Sequence, residues 1–215
     1  MPLNKIIATF LIASTALPVW AEGLKSLESF LKGTQTGRAE FTQVVTAPPK
    51  EGQAARSKTS SGSFEFQRPA RFRFLYRKPF EQTLVADGQT VWLYDVDLNQ
   101  VTARKQSQVL GSTPAALLAS AADLKTLQAE FTLENAPSQD RQDGQDWVLA
   151  TPKARDGQIQ AVRIGFKGEQ LATLDIQDSF GQRSVLRFTG FQANPALPSD
   201  TFQFKPPAGA DVVRQ

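Results

Sequence analysis

Residues 63–76 read SFEFQRPARFRFLY, and their alternation decides the fold. Phe64, Phe66, Phe72, Phe74 and Tyr76 share one parity, with Glu65, Gln67, Arg71 and Arg73 between them. A period of two is the signature of a strand with one dry face and one wet face. Pro69 has no N–H to give a ladder, so it bends the run or divides it into two strands. Arg68 sits on the parity of the phenylalanines, which leaves two readings. Either Pro69 breaks the parity and turns the guanidinium out to solvent, or the guanidinium is buried among aromatic rings. Burial costs several kcal/mol unless acceptors surround the charge, and the strand face offers none. Carbonyl groups at the C-terminal end of a helix lying over the sheet could supply them.

Outward from this stretch the chain continues as strands. Glu81 to Ala86, the turn Asp87-Gly88, and Thr90 to Tyr94 read as a hairpin, with Asn99 to Arg104 pairing back. Upstream, Gly23 to Gly37 puts Leu24, Leu27, Phe30 and Leu31 on one stripe against Lys25, Glu28 and Lys32, an amphipathic helix closed by glycine. Arg38 to Val45 follows as a strand. Thr46 to Ser63 is polar, bears Pro, Ser and Gly, and predicts a mobile loop with no apolar anchor. Thr113 to Leu127 opens with an N-cap threonine and an N1 proline and predicts a second helix. Beyond it, strands are expected at Glu130 to Leu133, Trp147 to Thr151, Ile159 to Phe166, Gln170 to Gln177, Ser184 to Phe191 and Phe202 to Phe204. Glycines at 144, 157, 168 and 181 punctuate these strands as an antiparallel sheet requires. The reading is one domain over residues 22–215, a curved sheet of ten or eleven strands with short helices. A sheet that size curls, and two short helices cover little of it, so either it closes tightly on a packed aromatic core or it surrounds a space that the helices cap, and the number of phenylalanines favours the apolar interior space.

The N-terminus carries a processing signal: Lys5, an apolar run from Ile6 to Trp20, and Val19-Trp20-Ala21 before a cleavage expected after Ala21. An uncleaved membrane anchor is the competing reading. Removal of residues 1–21 takes one lysine and no acid, leaving 23 basic groups against 21 acidic ones. A balance of +2 gives no reason to expect nucleic acid as a partner. An exported chain with zero cysteines uses no disulfide and cannot be lipid-anchored through a thioether.

Zero histidines and zero cysteines also remove the Ser-His and Cys-His nucleophile pairs, the usual zinc ligands and the commonest general base. The close carboxylate pairs, Asp95 with Asp97, Asp140 with Asp143 and Asp175 with Asp178, lie in turn-like surroundings and read as surface turn residues. Phosphate-binding glycine loops, GxSxG and calcium loops are all missing. An enzyme is not expected, and neither a metal nor a cofactor is called for.

The residues Arg68-Pro69-x-x-Phe72-x-Phe74, Pro79-Phe80-Glu81-Gln82, Val85-x-Asp87-Gly88-x-x-x-Trp92-x-Tyr94 and Asp97-x-x-Gln100-Val101-Thr102 resemble the LolA family of periplasmic lipoprotein carriers. Thr113-Pro114, Leu149-x-Thr151-Pro152-Lys153, Gln182-Arg183-Ser184 and the ending Phe202-x-Phe204-x-Pro206-Pro207-x-Gly209 extend the resemblance over the mature chain. It implies a mainly β (α+β) fold, an open, incomplete antiparallel β-barrel of about eleven strands with a helical lid over an apolar cavity. The implied function is a monomeric periplasmic chaperone for triacylated lipoproteins. Its expected partners are an inner-membrane lipoprotein-releasing ABC transporter that supplies the cargo and an outer-membrane receptor that accepts it. A general lipid or glycolipid carrier, or a lipid-sensing regulator, would share the fold. Arg68 is implied as the latch of the lid, and the acyl chains are expected against Phe64, Phe66, Phe72, Phe74, Tyr76, Leu84, Trp92, Leu117 and Leu118. Phe74 stands where some relatives carry Trp, and the stretch Thr46 to Ser63 is longer and more basic than theirs. Arg71, Arg73, Arg77 and Lys78 form either a candidate rim for acidic partner surfaces or a solvated strand face.

Overall fold

The computed structural model describes residues 22–49, 51–109, 118–119, 121, 123–136, 144–154 and 157–215. Helix α1 (Gly23–Gly33) is followed by strands β1 (Thr36–Thr46), β2 (Ser57–Gln67), β3 (Arg71–Lys78), β4 (Gln82–Ala86), β5 (Thr90–Asp95) and β6 (Gln100–Lys105). The short helices α2 (Gln106–Val109) and α3 (Leu124–Glu130) come next, and then β7 (Phe131–Asn135), β8 (Asp146–Pro152), β9 (Ile159–Lys167), β10 (Gln170–Asp178), β11 (Arg183–Ala193) and β12 (Asp211–Arg214). Among the described residues, twelve strands form one sheet in the order β12-β6-β5-β4-β3-β2-β1-β11-β10-β9-β8-β7. Its two ends do not pair with each other, so the barrel stays open.

Pro69 divides the opening stretch as its missing N–H demands. The two halves become β2 and β3, which fold back on each other with Phe64 opposite Phe74 and Phe66 opposite Phe72. Both pairs therefore point to the same side, into a core that also holds Leu27, Phe30 and Leu31 of α1. The N-terminal turn of α1 lies so close to the β8 backbone that a side chain at Gly23 would meet the carbonyl of Trp147. Likewise the ring of Phe66 occupies the space that a side chain on Gly37 would need. Glycine at these two places lets helix and strand approach the aromatic layer.

Several expectations need correction. Residues 57–63 are not loop: they open β2, and Ser57 pairs with Thr46 of β1. All seven are polar or glycine, so alternation could not reveal them. Their backbone groups are drawn into the ladder by the register that Phe64 fixes against Ala39. The expected strand at Phe202 to Phe204 is a turn, with Thr201 N donating to Pro198 O and Gln203 N to Asp200 O. The last strand is instead β12, parallel to β6 and, among the described residues, the one parallel pair in the sheet. It raises the count above ten or eleven. Of the helix expected at Thr113 to Leu127, residues 110–117, 120 and 122 lie outside the described residues. Leu118 and Ala119 are helical, and α3 begins separately, capped by the Asp123 side chain accepting from Thr126 N at 2.8 Å. The N-terminal signal (1–21) and the pair Asp140 with Asp143 also lie outside the described residues.

Candidate functional site

The β2–β3 turn carries Arg68 to the place where α1 ends. Its backbone N donates to Gln35 O, and its side chain folds inward, 8% exposed. Nε donates to Thr34 O at 2.9 Å, just past the α1 C-terminus. Nη1 donates to Leu118 O at 2.6 Å and to Ala121 O at 3.2 Å. The guanidinium also lies against the rings of Phe30 and Phe66, 5.2 and 5.3 Å from their centroids. Of the two readings of its parity, burial holds, and the acceptors are helix-end carbonyls whose partial negative charge suits a cation. Nη2 has no hydrogen-bond partner among the described residues. Burial pulls the guanidinium down to about 10, which leaves it cationic at neutral pH.

Around Arg68 the turn is tied down twice more. Ala70 N donates to Ala119 O at 3.0 Å, and Gln106 Nε2 donates to Ala70 O at 2.6 Å. One turn of sheet thus holds the end of α1, Leu118, Ala119, Ala121 and α2 together. These anchors are backbone carbonyls, which no side-chain pattern in the sequence could announce.

From Arg68 the rings run as a continuous track along the core face. Phe30 contacts Phe66 at 6.0 Å between centroids, Phe66 contacts Phe64 at 5.7 Å, and Phe64 stacks on Phe74 at 4.5 Å. Phe41 then meets Phe74 at 5.3 Å and Tyr76 at 5.1 Å, both edge-on. Phe64, Phe66, Phe72, Phe74 and Leu118 are buried in this cluster, with Tyr76 and Leu84 partly buried against it. The rings fill the interior by packing on one another. Phe41 and Phe188 belong to the same layer, and the parity of β1 and β11 would have found them.

Trp92 does not lie with them. It pairs with Val85, whose other neighbour is Arg73, and so belongs to the outer face of the sheet. There it stacks on Phe204 at 5.6 Å and donates from Nε1 to Asp87 Oδ2 at 3.0 Å. Its placement in the apolar interior is corrected: strand parity counted across the Asp87-Gly88 turn sends it outward. Leu117 lies outside the described residues. Two of the four rim cations face acids: Arg77 forms a double contact with Glu40, and Arg73 lies 4.0 Å from Glu65, which also accepts from Arg38 Nε. Of the carboxylates, Asp175 is not the surface turn residue expected: it is buried on β10 and held bidentately by Arg183, while Asp95, at the end of β5, accepts from Gln82 Nε2 and Leu98 N.

A family model described as outer membrane lipoprotein carrier protein LolA matches residues 32–205. An outer-membrane lipoprotein carrier protein of Albidiferax ferrireducens is 67% identical over 215 residues, covering 98% of this chain and 100% of the relative. One of Leptothrix cholodnii is 53% identical over 195 residues, covering 91% of this chain and 87% of the relative. Among solved structures, an uncharacterized conserved protein of Thermus thermophilus superposes with a TM-score of 0.54 at 14% identity, covering 89% of this chain and 96% of that one. At that identity the likeness speaks for the fold alone.

Proposed function

The chain belongs to the LolA family of outer-membrane lipoprotein carrier proteins, and from that membership we propose that it is a periplasmic, monomeric, non-catalytic chaperone that holds the acyl chains of triacylated lipoproteins. It receives them from an inner-membrane ABC transporter and yields them to an outer-membrane receptor. The observation that carries this reading is Arg68: a buried cation bonded to three carbonyls of the covering segments, seated at one end of an aromatic track. Nothing about fold stability calls for a guanidinium there, since its desolvation is costly. It makes physical sense as a latch. Chains enter when the covering segments lift and the three bonds break, and the bonds re-form when cargo leaves.

Phe64, Phe66, Phe72, Phe74, Tyr76, Leu84 and Leu118 are the residues that the chains would touch once the rings part. The test is native mass spectrometry of the mature protein co-expressed with a triacylated lipoprotein. A one-to-one complex that dissociates on addition of the outer-membrane receptor is expected. Recovery of the protein with phospholipid alone would overturn the lipoprotein assignment in favour of a general lipid carrier.

A further inference from the structure

The aromatic track has a second end. Past Phe41 and Phe74 the core face continues along β1 and β3, and opens into a cavity of about 480 Å³ whose lining includes Gln43, Tyr76, Gln82 and Gln182 together with the cations Arg56 and Lys58. This is the end of the β2–β3 hairpin remote from Arg68. Its chemistry differs from the track's. Three carboxamides and a phenol surround the opening, and they are partly spare: Tyr76 Oη donates to Gln43 Oε1 at 3.0 Å, Gln43 Nε2 donates to Ser184 Oγ at 2.8 Å, and Gln82 Nε2 donates to Asp95 Oδ2 at 2.7 Å. Each amide nitrogen carries two hydrogens and each amide oxygen two lone pairs, so further donors and acceptors remain. Burial pushes the Tyr76 hydroxyl up to about 12, and it stays neutral.

The end of the sheet around this cavity also carries exposed apolar side chains. Among the described residues the exposed large hydrophobic side chains are Phe80 (52%), Leu93, Val96, Leu98 (71%) and Phe180 (75%). Four of them sit on the turns that close this end of the sheet, between β3 and β4, β5 and β6, and β10 and β11, and Leu93 lies on β5 nearby. Of these, Phe80 borders the cavity itself. From inside outward the order is aromatic rings, then hydrogen-bonding amides with Arg56 and Lys58 beside them and Phe80 at the edge. The two cations keep their charge: Lys58 Nζ lies 4.9 Å over the Phe80 ring, and Arg56 Nη2 is 3.4 Å from Gln53 Oε1, so either can also donate to a carbonyl oxygen.

We propose that this glutamine-lined pocket seats the neutral, ester- and amide-bearing glyceryl-cysteine head of an acylated protein, with the acyl chains laid along the track toward Arg68. The proposal rests on the carrier reading and adds to it a place and an orientation. Ester carbonyls accept from the carboxamide N–H groups, and the amide N–H of an acylated cysteine donates to a carboxamide oxygen. Neutral glycerolipids share the ester chemistry and lack the amide.

Four ligands separate the possibilities, each measured by displacement of a fluorescent fatty acid from the mature protein: a tripalmitoylated cysteine peptide, its ether-linked analogue without ester carbonyls, dipalmitoylglycerol and dipalmitoyl phosphatidylglycerol. The ester peptide should bind about tenfold more tightly than the ether analogue, the effect expected of one or two hydrogen bonds that are lost without replacement. Gln43→Leu and Gln182→Leu should bring that ratio close to one. Gln182 is exposed in a turn, so its variant folds even if the Gln43 variant does not. Equal binding of ester and ether forms by the unaltered protein, or a ratio that survives Gln182→Leu, would overturn the head-group seat and leave the carrier reading standing. Diacylglycerol or phosphatidylglycerol binding as tightly as the peptide would overturn the acyl-cysteine assignment. Failure of all four ligands would overturn the carrier reading, and this proposal with it.

Discussion

At the residue scale, Arg68 is expensive to keep and therefore informative. It makes three hydrogen bonds from a buried position and leaves Nη2 without a partner among the described residues. A leucine there would fit the aromatic surroundings but would leave three carbonyls without their donor. Arg68→Leu is expected to take up a lipopeptide as well as the parent or better, and to pass it to the receptor at least tenfold more slowly. Stopped-flow transfer measurements decide this, and parental transfer rates would sink the latch. Arg68→Lys should behave like the leucine variant, because one ammonium cannot span Thr34 O and the Leu118–Ala121 carbonyls as a planar fork does. The pH dependence follows from the direction of the shift. Burial lowers Arg68 from its ordinary value to about 10, so the unfolded or opened form holds the proton more tightly. Its contribution to closure therefore changes with pH only above about 10, where closure gains as pH rises. With zero histidines in the chain, transfer rates should be flat from pH 6 to 8. A slope of tenfold across that interval would contradict the assignment of the switch to Arg68.

At the scale of elements, the β2–β3 hairpin is where sequence and structure agree most closely, because its large side chains alternate and its turn is marked by proline. Phe64 shows what that agreement is worth: it touches Phe66, Phe74 and Phe188, and Phe64→Ala should cost about 3–5 kcal/mol in urea unfolding. A loss under 1 kcal/mol would mean that the rings are loosely packed. Where side chains do not alternate, the sequence was silent. Ser57 to Ser63 has no large side chain to alternate and pairs by its backbone with one hydroxyl contact, Ser57 to Thr46, and Trp92 needed the residues of a turn to be counted before its face could be known. β12 was illegible for a different reason. Its four residues DVVR carry little pattern, and what fixes them is β6, since Val212 pairs with Val101 and Arg214 with Ala103. Nearby, Phe202 is buried and Phe204 stacks on Trp92, so the C-terminal segment covers the outer face of β5 and β6. Deleting residues 211–215 should lower stability by about 1–3 kcal/mol, from lost hydrogen bonds and half-buried valines. It should also free the β6 edge for pairing with a second copy. Size-exclusion chromatography at rising concentration checks the second effect, and a deletion variant that stays monomeric and equally stable would show β12 to be idle.

At the scale of the whole molecule, a carrier must bind lipid tightly enough to keep it from water and loosely enough to give it up. One acyl chain of about 16 carbons, at roughly 0.8 kcal/mol for each buried methylene, gains on the order of 12 kcal/mol, and three chains would exceed the practical ceiling of non-covalent affinity. Two features of the empty form subtract from that gain. The rings already bury one another, so entering chains replace ring-to-ring contacts and do not fill an empty space. The Arg68 bonds, charge-assisted and worth about 1.5–3 kcal/mol each, must break as well. Cargo and latch are then alternatives, and the loaded protein should be looser at its lid than the empty one. Hydrogen exchange measures this directly: with a lipopeptide bound, amides at 118–119, 123–130 and the end of α1 should exchange faster, while those of β9 to β11 slow or stay the same. Protection of the lid in the loaded state would mean that the covering segments close over cargo, and the release of Arg68 could not be the step that admits it.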